Sequence, residues 1–123
     1  MTAIILPVYN EGRIIARMLD GLETALAPLD EEQFIVIAVD DGSTDNTLQA
    51  LQDYTFEAPH ITMQVLNRPF NEGHQAAIAN GIAEGLKTGA QNFIIMDSDG
   101  QDDPAVIPEL LEYRGLDYVP VAR

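Results

Sequence analysis

Cysteine is absent from this 123-residue chain, which excludes a disulfide scaffold, thiolate catalysis and a Cys-ligated zinc site. Cations are scarce as well: 6 Lys and Arg stand against 20 Asp and Glu, for a formal net charge of −14. Such a surface repels a polyphosphate backbone, so nucleic-acid binding is disfavoured and a phosphate ligand calls for a metal. Long apolar runs are missing too. The longest, residues 34–39, falls far short of the roughly 20 residues of a membrane-spanning helix. No basic segment precedes the opening apolar residues and Pro7 interrupts them, so the start reads as a strand and not as a secretory signal. A cytoplasmic protein is the expectation.

What is present is ordinary for a folded domain. Apolar residues make up 46% and charged residues 21% of the chain, and one domain spanning residues 1–123 is expected. Strand-length apolar runs recur at residues 3–8, 34–39, 61–66 and 92–96. The first two are nearly continuous and rich in β-branched side chains, the pattern of strands buried on both faces. Helical stripes lie between them, the first on Ile14, Ile15, Met18, Leu19, Leu22, Ala25 and Leu26. A second helix is expected over about residues 44–54 on Leu48 and Leu51, and a third over about residues 72–87 on Ala79, Ile82, Ala83 and Leu86, ending at Thr88-Gly89. A fourth starts at Pro104 and buries Val106, Ile107, Leu110 and Leu111, before a last strand over residues 116–122. This alternation predicts an α/β, Rossmann-like fold: a mostly parallel sheet with right-handed crossovers and helices on both faces.

In an open α/β sheet, ligands bind beyond the carboxyl ends of the strands. Here each apolar run is followed there by polar residues: Tyr9, Asn10 and Glu11; Asp40, Asp41, Gly42 and Ser43; Asn67 and Arg68; and residues 97–103, which include Asp97, Ser98, Asp99 and Gln101. Several acids therefore converge on one edge, with no Lys or Arg between Arg17 and Arg68 or between Lys87 and Arg114. A divalent cation would relieve their repulsion, and Asp97-x-Asp99-x-Gln101 offers the hard oxygen ligands that Mg²⁺ or Mn²⁺ takes together with substrate phosphates. A D-x-D pair arises readily by chance in so acidic a chain, so its position after a strand carries the weight. The competing reading is a polar loop whose Asp103 caps the helix at Pro104. An EF-hand is excluded, because its sixth and twelfth positions would be Asp102 and Pro108.

The segment 40–45 makes a turn into the second helix, with Ser43 or Thr44 as candidate cap. Turn chemistry does not demand two adjacent acids after a buried strand, whereas a carboxylate accepting from a uracil or guanine N–H would use one. Tyr9 offers an aromatic face to a base, with core packing as an equal alternative. Asn71-Glu72-Gly73-His74 opens the third helix, whose N-terminus suits a phosphate or a sugar hydroxyl; a lone His at a helix start is more often structural or solvated, and that is the leading reading of His74. Arg68 is placed to balance a phosphate or one of the acids.

Four blocks, Ile5-Leu6-Pro7-Val8-Tyr9-Asn10-Glu11, Val39-Asp40-Asp41-Gly42-Ser43-Thr44-Asp45-Asn46-Thr47, Gly73-His74-Gln75-Ala76-Ala77 and Met96-Asp97-Ser98-Asp99-Gly100-Gln101-Asp102-Asp103-Pro104, together resemble the nucleotide-sugar-binding half of family 2 glycosyltransferases with the GT-A fold. The likeness is nearest to the polyprenyl-phosphate branch, the dolichol-phosphate mannosyltransferase-like and bactoprenol glucosyltransferase-like enzymes. The resemblance implies that Pro7, Tyr9 and Glu11 line the nucleoside pocket, that Val39 and Asp41 contact the base, and that Ser98 lies along the nucleotide. It further implies that Asp97, Asp99 and Gln101 hold Mg²⁺ or Mn²⁺ against the diphosphate of a UDP- or GDP-sugar. The implied function is a glycosyltransferase donor domain serving an acceptor such as a polyprenyl phosphate, at the inner face of a membrane.

Family members continue into an acceptor-binding half, so with Arg123 as the last residue only the donor half is expected and no catalytic base is assignable. Gly100 and Pro120 depart from the branch's pattern without touching the implied ligands. An alternative is a nucleotide-sugar-binding module with no transfer of its own. A dinucleotide oxidoreductase is disfavoured, since Pro7-Val8-Tyr9-Asn10-Glu11-Gly12 stands where G-x-G-x-x-G would be needed. A purely structural protein leaves the strand-end acids without a reason. The sequence thus predicts that UDP or GDP binds with Mn²⁺ and fails to bind with excess chelator. Calorimetry under both conditions checks it, and equal affinity would remove the metal bridge.

Overall fold

The two most apolar segments become the two central strands of a single parallel sheet. The computed structural model describes residues 1–97 and 103–111, in the order β1 (Thr2–Val8), α1 (Ile15–Leu26), β2 (Phe34–Asp41), α2 (Thr47–Asp53), β3 (Ile61–Arg68), α3 (His74–Lys87) and β4 (Asn92–Ile95), then a 3-10 turn (Pro104–Val106) leading into α4 (Ile107–Leu110). The sheet runs β3-β2-β1-β4 with every pair parallel, the expected α/β architecture. Because side chains alternate across a strand, β1 and β2 fill two separate cores. Ile4, Leu6, Val8, Val36 and Ala38 meet α1 through Ile15, Leu19 and Leu22, with Leu51 and Ile107 joining from α2 and α4. Ala3, Ile5, Ile37 and Val39 meet Ala77 of α3 on the other face. Each fully buried aliphatic side chain contributes on the order of 1.5–3 kcal/mol.

Register sets up the functional edge. Val8 lies opposite Asp40 and Asp41 opposite Arg68, so the chain leaves β1, β2 and β3 at one level and their exit loops are neighbours. Asp103 caps the turn at Pro104, its carboxylate accepting from Ala105 N at 3.0 Å, as expected. The anticipated strand over 116–122 lies outside the described residues. Among the described residues no helix is long and apolar enough to cross a membrane.

α3 departs from the sequence expectation in which face it buries. Ala79 and Ala83 are exposed and Leu86 is 63% exposed; of the expected stripe only Ile82 packs against the core. The sheet-facing residues are Ala77, Gly81 and Gly85. A Cβ on Gly81 would stand 2.5 Å from Ile5 Cγ2, and one on Gly85 2.5 Å from Phe93 Cε2. The strands supply the bulk at this contact, so the helix supplies small residues and comes close, and hydrophobicity alone selects the wrong stripe. α3 also starts at His74 rather than near residue 72, and α2 at Thr47 rather than near 44, because the residues ahead of them are engaged in loop contacts.

Gly81→Val is therefore expected to destabilise the fold by about 1–3 kcal/mol through overpacking, while Ala83→Glu stays within about 0.5 kcal/mol. Urea unfolding of the two variants checks this; equal stabilities would show that the helix has room to move.

Candidate functional site

At the carboxyl ends of the strands lies a cleft of about 280 Å³, lined by Pro7, Val8, Tyr9, Glu11, Asp41, Asn71, His74, Ala77 and Asp97. It brings together Pro7, Tyr9, Glu11, Asp41 and Asp97 of the residues anticipated from sequence. Val39 does not line it: its side chain is fully buried in the α3-side core. Ser98, Asp99 and Gln101 lie outside the described residues. Val8, Asn71, His74 and Ala77 complete the lining; the last three belong to the opening of α3, which the sequence presents as a helix N-terminus and the structure also makes a wall of the cleft.

The two adjacent acids at the end of β2 divide their work. Asp40 is buried, and its Oδ1 accepts from Ser43 N at 3.3 Å, closing the turn. Asp41 faces the cleft with its side chain only 6% exposed. Its Oδ1 accepts from Arg68 Nε and from Glu72 N, both at 3.1 Å, and its Oδ2 from Gly73 N at 3.1 Å. Arg68 thus balances an acid, and its second contact is Glu72 Oε2 at 3.2 Å. A carboxylate has about four acceptor positions, so three bonds leave capacity for one further donor. The β3–α3 loop reaches Asp41 by passing over Gly42. With φ +74 and a would-be Cβ 2.5 Å from Asn71 N and 2.6 Å from Phe70 C, that position admits only glycine.

Ser43 and Thr44 do not cap α2. The cap position is Asn46, which makes no side-chain cap bond. Instead the loop after β2 grips the loop after β1. Asn10 N donates to Ser43 Oγ at 2.9 Å, Thr44 N to Asn10 Oδ1 at 2.8 Å, Glu11 N to Thr47 Oγ1 at 2.9 Å and Gly12 N to Asp45 Oδ2 at 3.2 Å. The Thr47 hydroxyl in turn donates to Asp45 Oδ1, as does Thr47 N at 2.9 Å. The hydroxyl bond above all, supported by the Thr47 and Gly12 N–H groups and opposed by some desolvation, holds the Asp45 carboxyl below its ordinary value of 3.8.

On the far side of the cleft, Asp97 follows β4 and lies 3.4 Å from the exposed His74, Oδ1 to Nε2. Tyr9 keeps 43% of its surface in solvent at the rim, an aromatic face open to a planar ligand and not packed into the core. Among the described residues no three His, Asp or Glu side chains converge to hold a metal. Asp97 itself is a hard oxygen donor on the cleft wall, which suits one ligand of Mg²⁺ or Mn²⁺.

Comparison with known proteins agrees with the fold. The family model described as glycosyl transferase family 2 matches residues 3–116. The chain is 36% identical to an undecaprenyl-phosphate 4-deoxy-4-formamido-L-arabinose transferase of Pseudomonas fluorescens, over 98% of this chain and 34% of that protein. It is 31% identical to a dolichol-phosphate mannosyltransferase of Pyrococcus furiosus, over 89% of this chain and 29% of that protein. The chain thus spans about a third of the length of these relatives. Among solved structures, the mannosyltransferase PcManGT from Pyrobaculum calidifontis, in complex with GDP-Man and Mn²⁺, superposes with a TM-score of 0.62 at 25% identity, over 80% of this chain and 27% of that one. S. aureus TarS 1–349 in complex with UDP-GlcNAc shares the fold, with a TM-score of 0.69 at 24% identity over 90% of this chain and 30% of that one.

Two outcomes test the site's wiring. Asp41→Asn is expected to destabilise the ligand-free chain by about 1.5–3 kcal/mol, because the amide cannot satisfy Arg68 and both N–H groups together; unchanged urea unfolding would show that the loop holds without it. For Asp45 the folded carboxyl titrates below 3.8, so the unfolded chain binds more protons in that window and stability rises with pH. Its contribution is present above the unfolded value and is lost as pH falls through the folded one. Below 3.8, Asp45→Asn should accordingly lose less stability per unit of pH than the parent, as read by acid unfolding.

Proposed function

The chain belongs to glycosyl transferase family 2, and from that premise we propose that it binds the nucleoside-diphosphate sugar in an enzyme that transfers the sugar to a polyprenyl phosphate. The observation that carries this reading is the meeting of Pro7, Tyr9, Glu11, Asp41 and Asp97 around one cleft at the carboxyl ends of the strands. Tyr9 stacks on the base, a uracil or a guanine. The remaining acceptor position of Asp41 takes a base N–H, a charge-assisted bond on a carboxylate already fixed by three donors. Pro7 and Glu11 close the nucleoside side of the pocket.

Asp97 is a hard oxygen donor on the cleft wall, and with Asp99 and Gln101 it would hold Mg²⁺ or Mn²⁺ against the diphosphate. When bound, such a cation supplies neutralisation of the charge that grows on the departing nucleoside diphosphate. In the transfer, a phosphate oxygen of the acceptor bonds to the anomeric carbon while the bond from that carbon to the donor diphosphate breaks, its electron pair leaving with the nucleoside diphosphate. A lipid phosphate acceptor places the reaction at a membrane surface, on its cytoplasmic side.

Mn²⁺ together with UDP or GDP is expected to raise the melting temperature. Ligand at about 100 times its dissociation constant adds roughly 2.7 kcal/mol of stability, a shift of several degrees in a domain of this size. Asp97→Asn combined with Asp99→Asn should abolish the rise. A double variant that retains the full shift would take both residues out of the site.

A further inference from the structure

Tyr9 and Glu11 line the cleft, yet they lie in an exit loop beyond the last β1 residue, Val8. Between them stands Asn10, the one described non-glycine residue with positive φ, at +50. Asparagine tolerates this left-handed region better than most residues. The turn lets the flanking Tyr9 and Glu11 reach the cleft while the Asn10 side chain reaches the loop after β2. The side chain bonds through Oδ1, which accepts from Thr44 N at 2.8 Å and from Thr44 Oγ1 at 3.4 Å. Its own N–H donates to Ser43 Oγ at 2.9 Å.

We infer that Asn10, pinned by Ser43 and Thr44, is a positioning residue that aims Tyr9 and Glu11 at the nucleotide without touching it. The inference rests on the nucleotide-binding reading given above. It makes the acceptor oxygen and the tolerance of positive φ separately important. Asp keeps both, Gly keeps the backbone conformation and loses the acceptor, and Ala loses both.

The test is calorimetry of UDP and GDP with Mn²⁺ on the full chain and on Asn10→Asp, Asn10→Gly and Asn10→Ala, at a temperature where melting curves show each variant folded. The expected order is Asn10→Asp within about threefold of the parent, Asn10→Gly weaker, and Asn10→Ala weaker by tenfold or more. The readout that separates aiming from mere stability is a double-mutant cycle. If Asn10 acts through Tyr9, Asn10→Ala has little further effect on affinity in a Tyr9→Ala background, whereas independent effects add. Parent-like affinity of Asn10→Ala, or full additivity with Tyr9→Ala, would overturn the inference. If the parent binds neither nucleotide, the functional reading falls, and the aim of the loop is decided by fluorine NMR of fluorotyrosine-labelled protein. A Tyr9 resonance shifted in Asn10→Ala and restored in Asn10→Asp supports the inference, and one unmoved in Asn10→Ala refutes it.

Discussion

A carboxylate taken out of water must find donors, and the burial of Asp41 at the end of β2 organises one wall of the cleft around that need. Arg68 answers from the neighbouring strand and two backbone N–H groups answer from the loop that follows it. To deliver them the loop must cross close over Gly42, and the same crossing carries Asn71 and His74 to the cleft. Had Asp41 been apolar, Glu72 N and Gly73 N would lose the acceptor that ties them to β2, and the start of α3 would be held less firmly.

The acidic segment after β2 extends this principle to the other side. In the order β3-β2-β1-β4, β2 stands between β1 and β3, so its exit loop touches the exit loops of both. Carboxylates only accept, and loop backbones offer unpaired N–H groups. Three acids are therefore shared out by position: Asp40 closes its own turn, Asp41 holds the loop after β3, and Asp45 holds the loop after β1. The density of acids that suggests a ligand site from sequence is in large part the means by which one loop fixes its two neighbours.

This explains which features were legible in the chain. The parallel sheet could be read because residues 3–8 and 34–39 are apolar on both faces, a pattern that few folds other than a covered parallel sheet accommodate. Tyr9, Glu11, Asp41 and Asp97 stand out because a parallel sheet directs the strand exits to one edge, and Pro7 joins them through the family resemblance. The bonds of Asn10 to Ser43 and Thr44 span 33 and 34 positions, and no local pattern encodes so remote a hydrogen bond. Ser43 and Thr44 look like caps because in isolation they would serve as caps; the adjacent loop wins them instead. The burial of Gly81 and Gly85 was hidden for a different reason, since close packing is recorded in the absence of side chains and a hydrophobic stripe measures only their presence.

The charge balance of the cleft carries the argument one step further. Glu11, Asp41 and Asp97 all line it, and a diphosphate would bring still more negative charge. The guanidinium of Arg68 is already committed to Asp41 and Glu72, and withdrawing it would strand a buried carboxylate, a change that costs several kcal/mol in comparable pairs. His74 stands against Asp97 and is exposed, so its attraction to a phosphate is weakened by solvent. If the chain binds a nucleoside diphosphate as proposed, its excess of fourteen negative charges makes a cation that arrives with the nucleotide the most effective source of balance. On the proposed reading the acids at the strand ends serve two ends at once: some hold loops by accepting their N–H groups, and Asp97, just beyond the strand on the other side of β1 from β2, lines the cleft beside His74, where a cation would have to come.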